Sequence, residues 1–445
     1  MDAPLYQALR LLANKDIARF HMPGHKGQPI FQDFSTVFAI DYTETYETGN
    51  LYEFEGAIRI AEQTAAEYFG AADCHFLTGG SSQGIKAMLG AVCGDGGKIL
   101  LDRNCHKSAM YACALFDLQP SFILPDMLDC SGCSGVINIA AAEQALLDHP
   151  DAHALLIVSP NYYGVMQPIE AFAELCHRYG KKLLVDAAHG AHLDACGMKN
   201  PVALGADAAV LSAHKTLPAL GQAAYLLLGH GIDAAKMRHF EAMCGTSSPS
   251  YLIMATLDLA RAHLQSDSYM EAVHTVARLR CKYTGEHGFL ALSEADARLD
   301  PLRFTIACAN GHQLADMLYT DYQIASEMSD RYHVVFIVTP ADLSGNLSRL
   351  EKALDACMPA PPYTPPVLSA PPMPVQIHSV RHALFFPAVN VPLAQAVQHI
   401  CARPVVPYPP GVPLLWPGEE ITVEHIEFLT ERCYNTDSEV AVALY

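Results

Sequence analysis

The chain has 445 residues, 51% of them hydrophobic, enough for more than one domain with a sizeable core. Its net charge is −19 at pH 7 and no basic cluster stands out, which argues against a nucleic-acid partner. No charged-then-apolar secretion signal opens the chain and no apolar run approaches the ~20 residues of a membrane helix, so a cytoplasmic protein without membrane partners is expected.

Residues 1–50 read as an N-terminal extension holding the turn Met22-Pro23-Gly24-His25 and the carboxylates Asp41, Glu44 and Glu47. From about Leu51 short apolar runs alternate with helical patterns. The first informative stretch is Cys74–Leu77, then Thr78-Gly79-Gly80-Ser81-Ser82-Gln83-Gly84, then Ile85–Val92 with helical apolar spacing. Glycines permit close backbone approach, N–H groups at a helix start favour a dianion, and Ser81 and Ser82 add hydroxyl donors. The loop has neither the dinucleotide fingerprint nor the P-loop ending. Taken alone it also fits a plain strand-to-helix connection.

Lys98–Asp102, Ala154–Val158, Leu183–Val185 and Ala208–Leu211 are continuous apolar runs. Such runs fit an α/β fold, a mainly parallel sheet covered by helices, in which ligands collect at the carboxyl ends of strands. Asp186 and Lys215 fall at those ends. Singly, a lysine after a strand is usually a solvated loop residue, and Asp186-Ala187-Ala188-His189 reads as a turn with a capping aspartate. With Ser212-Ala213-His214-Lys215 and the glycine-serine loop, the pattern changes meaning. Pyridoxal phosphate chemistry needs an amine for a Schiff base, an acid that keeps the pyridine nitrogen protonated, and donors for a phosphate.

Fourteen cysteines are scattered through apparent strands and helices, and reduced thiols are expected. Cys130-Ser131-Gly132-Cys133 has no second matching pair and reads as a surface loop rather than a zinc or redox site. His189, His192 and Asp194 imitate a ligand set, but no metal is expected. A helical stretch covers about Tyr251 to Arg280. Phe304–Ala309 and His333–Val338 then read as strands of a smaller C-terminal α+β domain, and the proline-rich run Met358–Pro374 as a rigid linker. The domains expected are 1–50, 51–265 and 266–445.

Phe20–Gly27, the Gly79–Gly84 loop, Asp102-Arg103-Asn104-Cys105-His106-Lys107-Ser108, the Asp186–His189 and Ser212–Lys215 pair, Pro407–Pro413 and Trp416-Pro417-Gly418-Glu419 together resemble the short form of the ornithine/lysine/arginine decarboxylase family. These are aspartate-aminotransferase-like, fold-type I enzymes. The resemblance implies pyridoxal 5'-phosphate as cofactor, Lys215 as its Schiff-base lysine and Asp186 on the pyridine nitrogen. It places Ser212 and His214 near the phosphate with Gly80, Ser81 and Ser82, and adds His189 to the cofactor set. His106 lies over the cofactor ring; the plain alternative is a loop histidine satisfied by backbone. Ser247 or Ser248 reaches the phosphate of a partner subunit, or else serves as a helix N-cap. Glu419 falls on the active-site side of the C-terminal region.

The implied reaction is α-decarboxylation of arginine, lysine or ornithine to the amine by a homodimer or larger assembly, with Lys215 or a histidine returning the proton to Cα. The same scaffold also hosts aminotransferases and acyl-condensing enzymes, and a non-catalytic homologue is the third alternative. After Asp41-Tyr42-Thr43-Glu44 the paired aspartates usual in the family are absent, and Ala187–Ala188 includes alanine where many short-form relatives carry glutamate. Both departures bear on substrate choice.

Overall fold

The structure is a computed structural model that describes residues 2–15, 17–129, 131–285, 288–357, 363–366, 368, 370–407, 411–431 and 438–444. It divides into two compact units, Met1–Val92 with Lys182–Asp267, and Cys93–Lys181 with Ser268–Tyr445. The strands in chain order are β1 (Asp73–Leu77), β2 (Lys98–Asp102), β3 (Gln119–Ile123), β4 (Ala152–Val158), β5 (Lys182–Asp186), β6 (Ala208–Leu211), β7 (Ala224–Leu228), β8 (Leu290–Ala291), β9 (Arg303–Ala307), β10 (Met328–Ser329), β11 (His333–Ile337), β12 (Ala388–Pro392) and β13 (Glu439–Ala443).

In the first unit the strands run β1-β7-β6-β5. β5 and β6 are parallel, with Asp186 opposite Val210. β7 is antiparallel to both neighbours, with Leu211 opposite Tyr225 and Leu77 opposite Ala224. Every residue of β1, β6 and β7 is buried, as continuous apolar runs require when both faces are covered. The helix Pro4–Ala13 begins with proline, buries Leu5, Leu9 and Leu12 along one stripe, and packs on helices Gly56–Phe69 and Tyr251–His263. Asp258 of the last of these accepts the Leu5 N–H at 2.9 Å. The opening residues are therefore docked by backbone bonds as well as by apolar contact.

The second unit holds the parallel run β4-β2-β3, the antiparallel sheet β10-β11-β9-β8, and the pair β12/β13. Leu393, Leu415, Ile421, Leu429 and Val442 form the small core beside β12/β13. The α/β class with a mainly parallel sheet and a smaller strand-containing C-terminal part is thus what the chain adopts.

Two sequence expectations change. The stretch from Tyr251 to Arg280 is two helices, Tyr251–His263 and Ser268–Lys282, interrupted where Ser266 N–H turns back to the His263 carbonyl. Cys133 and Ser131 are 2% and 1% exposed, so the CxxC segment is no surface loop: Cys133 packs with Val165, Leu292 and Leu299, while Cys130 lies outside the described residues. Strand β7, antiparallel between β1 and β6, was not anticipated at all. The described part of the proline-rich run, 363–366, 368 and 370–374, is neither helix nor strand. Among the described residues no helix is long and apolar enough to cross a membrane, and no group of three or more His, Cys, Asp or Glu is placed to hold a metal.

Candidate active site

The ends of β5 and β6 are cross-tied. Ala187 N–H donates to the Val210 carbonyl at 3.0 Å and Ser212 N–H to the Ala188 carbonyl at 3.3 Å. The chain then makes one helical turn, Ala213–Thr216, which places the Lys215 Nζ 3.1 Å from the His189 Nε2. Asp186, the last residue of β5, is 3% exposed and accepts the Ala188 N–H at 3.2 Å. Burial pushes the Asp186 carboxyl above its ordinary pKa, and the charge of Lys215 pulls against that shift. A buried carboxylate facing a lysine ammonium suits a cationic nitrogen held in the same space.

The second cluster follows from the direction of β7. Because it runs antiparallel between β1 and β6, the carboxyl ends of β1 and β6 flank its amino end. The two residues before β7 anchor both sides. Gly80 N–H donates to the Gln222 carbonyl at 2.8 Å, while His214 N–H donates to the Ala223 carbonyl at 3.2 Å, with His214 Nδ1 3.0 Å from the same oxygen. The glycine loop and the Lys215 turn therefore share one support. Gly80 has φ +72°, a left-handed conformation that side chains rarely adopt. It opens the helix Gly80–Cys93, whose first turn carries the half-buried Ser81 and Ser82.

Three hydroxyls beside these turns, on Thr78, Ser212 and Thr216, are buried and have no hydrogen-bond partner among the described residues. Unsatisfied buried hydroxyls cost stability unless a ligand or water meets them. With the helix start at Ser81 and Ser82, they fit an anionic group with several acceptor oxygens.

The remaining expected residues have local partners of their own. His106 belongs to the second unit and caps the helix Lys107–Leu115: its Nδ1 accepts the Ser108 N–H at 3.2 Å and lies 2.8 Å from Ser108 Oγ. Ser247 and Ser248 are exposed, and Ser248 N–H is bonded locally to Thr246 Oγ1 at 3.3 Å. Neither serine caps the next helix. That role falls to Ser250, whose hydroxyl accepts the Ile253 N–H at 3.4 Å.

Glu419 has a partner that sequence reasoning missed. It is fully buried and receives both arms of Arg103, at 2.7 and 2.8 Å, and the Trp416 N–H at 2.6 Å. The Arg103 guanidinium also lies over the Phe122 ring, 4.3 Å from its centre. Such a two-armed buried pair fixes the loop that leads to His106. In the same unit a cavity of ≈ 480 Å³ is lined by Arg103, Asn104, Asn161, Tyr163, Asp330 and His333. Asp330 accepts from Tyr163 Oη at 2.7 Å and faces His333 Nδ1 at 2.9 Å; burial raises its pKa, but His333 and these bonds bring it down to about 2.

Residues 3–284 match the family described as Orn/Lys/Arg decarboxylase, major domain, and residues 377–434 match its C-terminal domain. The chain belongs to the Orn/Lys/Arg decarboxylase family. It is 32% identical to the arginine decarboxylase of Bacillus subtilis (strain 168) across 96% of this chain and 93% of that protein. It is equally 32% identical to the arginine decarboxylase of Bacillus anthracis, across 97% and 93%. Among solved structures, the Francisella novicida lysine decarboxylase LdcF superposes with a TM-score of 0.82 at 19% identity, over 99% of this chain and 81% of that one. The alanine–glyoxylate aminotransferase of Nostoc sp. superposes with 0.54 at 15% identity, over 67% and 85%. These two likenesses show a shared fold.

Proposed function

We propose that this chain is a pyridoxal 5'-phosphate-dependent α-decarboxylase that converts a basic amino acid to its amine and carbon dioxide. The observation that carries the reading is the meeting of Lys215, His189 and a buried Asp186 at two adjacent strand ends, with orphaned hydroxyls on the same side. The bound cofactor supplies an electron-accepting ring for the pair left behind by the departing carboxylate.

Each protein group then has a defined task. Lys215 is the amine that holds the cofactor carbonyl until substrate arrives. Asp186 keeps the proton on the pyridine nitrogen, and burial strengthens that interaction because water does not screen it. Gly80, Ser81, Ser82, Ser212 and His214 hold the phosphate end, together with the hydroxyls of Thr78 and Thr216. His189, within hydrogen-bond reach of the Lys215 Nζ, holds or moves its proton. His106 covers the ring, and Ser247 or Ser248 serves the partner's phosphate in a homodimer or larger assembly. The division at 50 and 265 and a cytoplasmic location belong to the same reading. Arginine ranks first among arginine, lysine and ornithine, since relatives 32% identical over most of both chains are named arginine decarboxylases.

A panel of amino acids with the product identified by mass tests the reaction: an amine and carbon dioxide are expected, whereas a keto acid or an acyl product would overturn it. Borohydride reduction and peptide mapping should find the cofactor on Lys215. In Lys215→Ala that label and turnover should both vanish while the circular dichroism spectrum stays unchanged.

A further inference from the structure

The first unit contains a buried block of charges that the proposed reaction does not use. Arg238 reaches Glu62 at 2.7 Å and Glu241 at 3.0 Å, and Glu241 also pairs with His75 at 2.6 Å. Glu62 in turn accepts the Phe76 N–H of β1 at 2.8 Å. All four side chains are at most 3% exposed. Such a block is rigid, because moving any member strands a charge without water.

One side chain leads from this block to the glycine loop. Gln83, 2% exposed, donates through Nε2 to the Glu241 carbonyl at 2.9 Å and accepts the Gly79 N–H through Oε1 at 2.8 Å. The amide has one orientation only: its NH₂ must face a carbonyl and its oxygen an N–H. The glycines at both ends let the backbone come close to the amide, since a Cβ on Gly245 would collide with Gln83 Nε2 and one on Gly79 would come 2.8 Å from Oε1. With the Gly79 N–H held by Gln83 and the Gly80 N–H held by Gln222, the chain enters the helix Gly80–Cys93 along one path. The first N–H groups of a helix have no partner within it, and Ser81 and Ser82 contribute two of them.

We propose that Gln83 is a positioning residue, which locks the Gly79–Gly80 backbone to the buried Arg238 block and so presets Ser81 and Ser82 for the cofactor phosphate. The assignment rests on the pyridoxal phosphate reading above. Its signature is selective: loosening the loop should weaken binding of the phosphorylated cofactor and leave the phosphate-free form almost untouched.

Equilibrium dialysis of the cofactor-free full chain against pyridoxal phosphate and against pyridoxal provides the test. The unaltered protein should prefer pyridoxal phosphate. Gln83→Leu keeps the volume but loses both hydrogen bonds, and should bind pyridoxal phosphate about tenfold more weakly while pyridoxal binding changes less than about twofold. Gln83→Glu is nearly isosteric, keeps an acceptor for Gly79 and cannot donate to Glu241, and it should lose selectivity in the same direction, which keeps the test valid if the leucine variant misfolds. An unaltered protein with no preference for the phosphorylated form overturns the cofactor reading and the proposal together. A normal preference that survives in both Gln83 variants overturns the role of Gln83 alone.

Discussion

Two buried polar regions of the first unit make opposite use of the same material. Around Arg238 the charges find one another: Glu62, Glu241 and His75 are paired within the protein. At the ends of β1 and β6, by contrast, the hydroxyls of Thr78, Ser212 and Thr216 are also buried yet lack a partner among the described residues. The block is not fully satisfied either, since among the described residues Arg238 Nε and His75 Nε2 are buried without a hydrogen bond, but there every charge has a counter-charge, whereas the three hydroxyls have no such partner. Leaving them open has a cost, and an anionic ligand repays it by binding there. Paired charges hold the scaffold, and the open hydroxyls clustered at the strand ends mark where an anionic group fits.

The largest effect expected from this contrast is chemical. Asp186→Asn keeps the bulk and loses the charge beside Lys215, so turnover should fall by about 10²–10³, read in single-turnover kinetics, with most cofactor retained. Near-normal turnover would remove Asp186 from its role. Next comes Arg238→Met, which takes the close buried counter-charge from Glu62 and leaves Glu241 with His75, and should destabilise the protein by about 3–5 kcal/mol in urea unfolding. A loss under about 1 kcal/mol would show that the block is dispensable.

The pH dependence of stability comes third. Burial opposes the charge on His75, but the Glu241 carboxylate beside it prevails and its pKa is raised above the usual 6.5. A raised histidine binds its proton more tightly in the folded state. Its contribution is therefore fully present below pH 6.5 and is lost as the pH climbs through the raised value. Urea midpoints measured from pH 6 to 9 should decline more for the unaltered protein than for His75→Gln; parallel curves would contradict this. The smallest stability change belongs to Ser212→Ala. Deleting a hydroxyl without a partner should alter unfolding by less than about 1 kcal/mol, and should instead weaken cofactor retention on dialysis. A large stability loss would mean that the hydroxyl is already satisfied in the protein alone.

Much of this architecture was legible in the amino-acid order. Lys182–Asp186 and Ala208–Leu211 are short apolar runs ending in chemistry, and burial on both faces leaves that signature irrespective of partner strands. The direction of β7 was not legible, since Ala224–Leu228 reads the same in either orientation. Nor was the depth of Cys133, because a small residue beside glycine and serine looks like a turn until Val165, Leu292 and Leu299 close over it. The Arg238 block did leave a trace. Glu62 falls on the face of helix Gly56–Phe69 that carries Ile58, Ala65 and Phe69, and a carboxylate on an apolar stripe asks for a buried partner. The partner itself, 176 residues away, is fixed only by the fold.

The pair between Arg103 and Glu419 has a consequence for how the protein is made. The two residues are 316 positions apart, so the ribosome releases the turn before His106 long before the carboxylate that anchors it. Until then the guanidinium stays with solvent, and the turn cannot settle into its final form. A message cut short before position 419 would yield chains whose β2 strand can pair but whose Arg103 has no counter-charge to enter the interior with. Completion of synthesis is thereby written into the assembly of that loop.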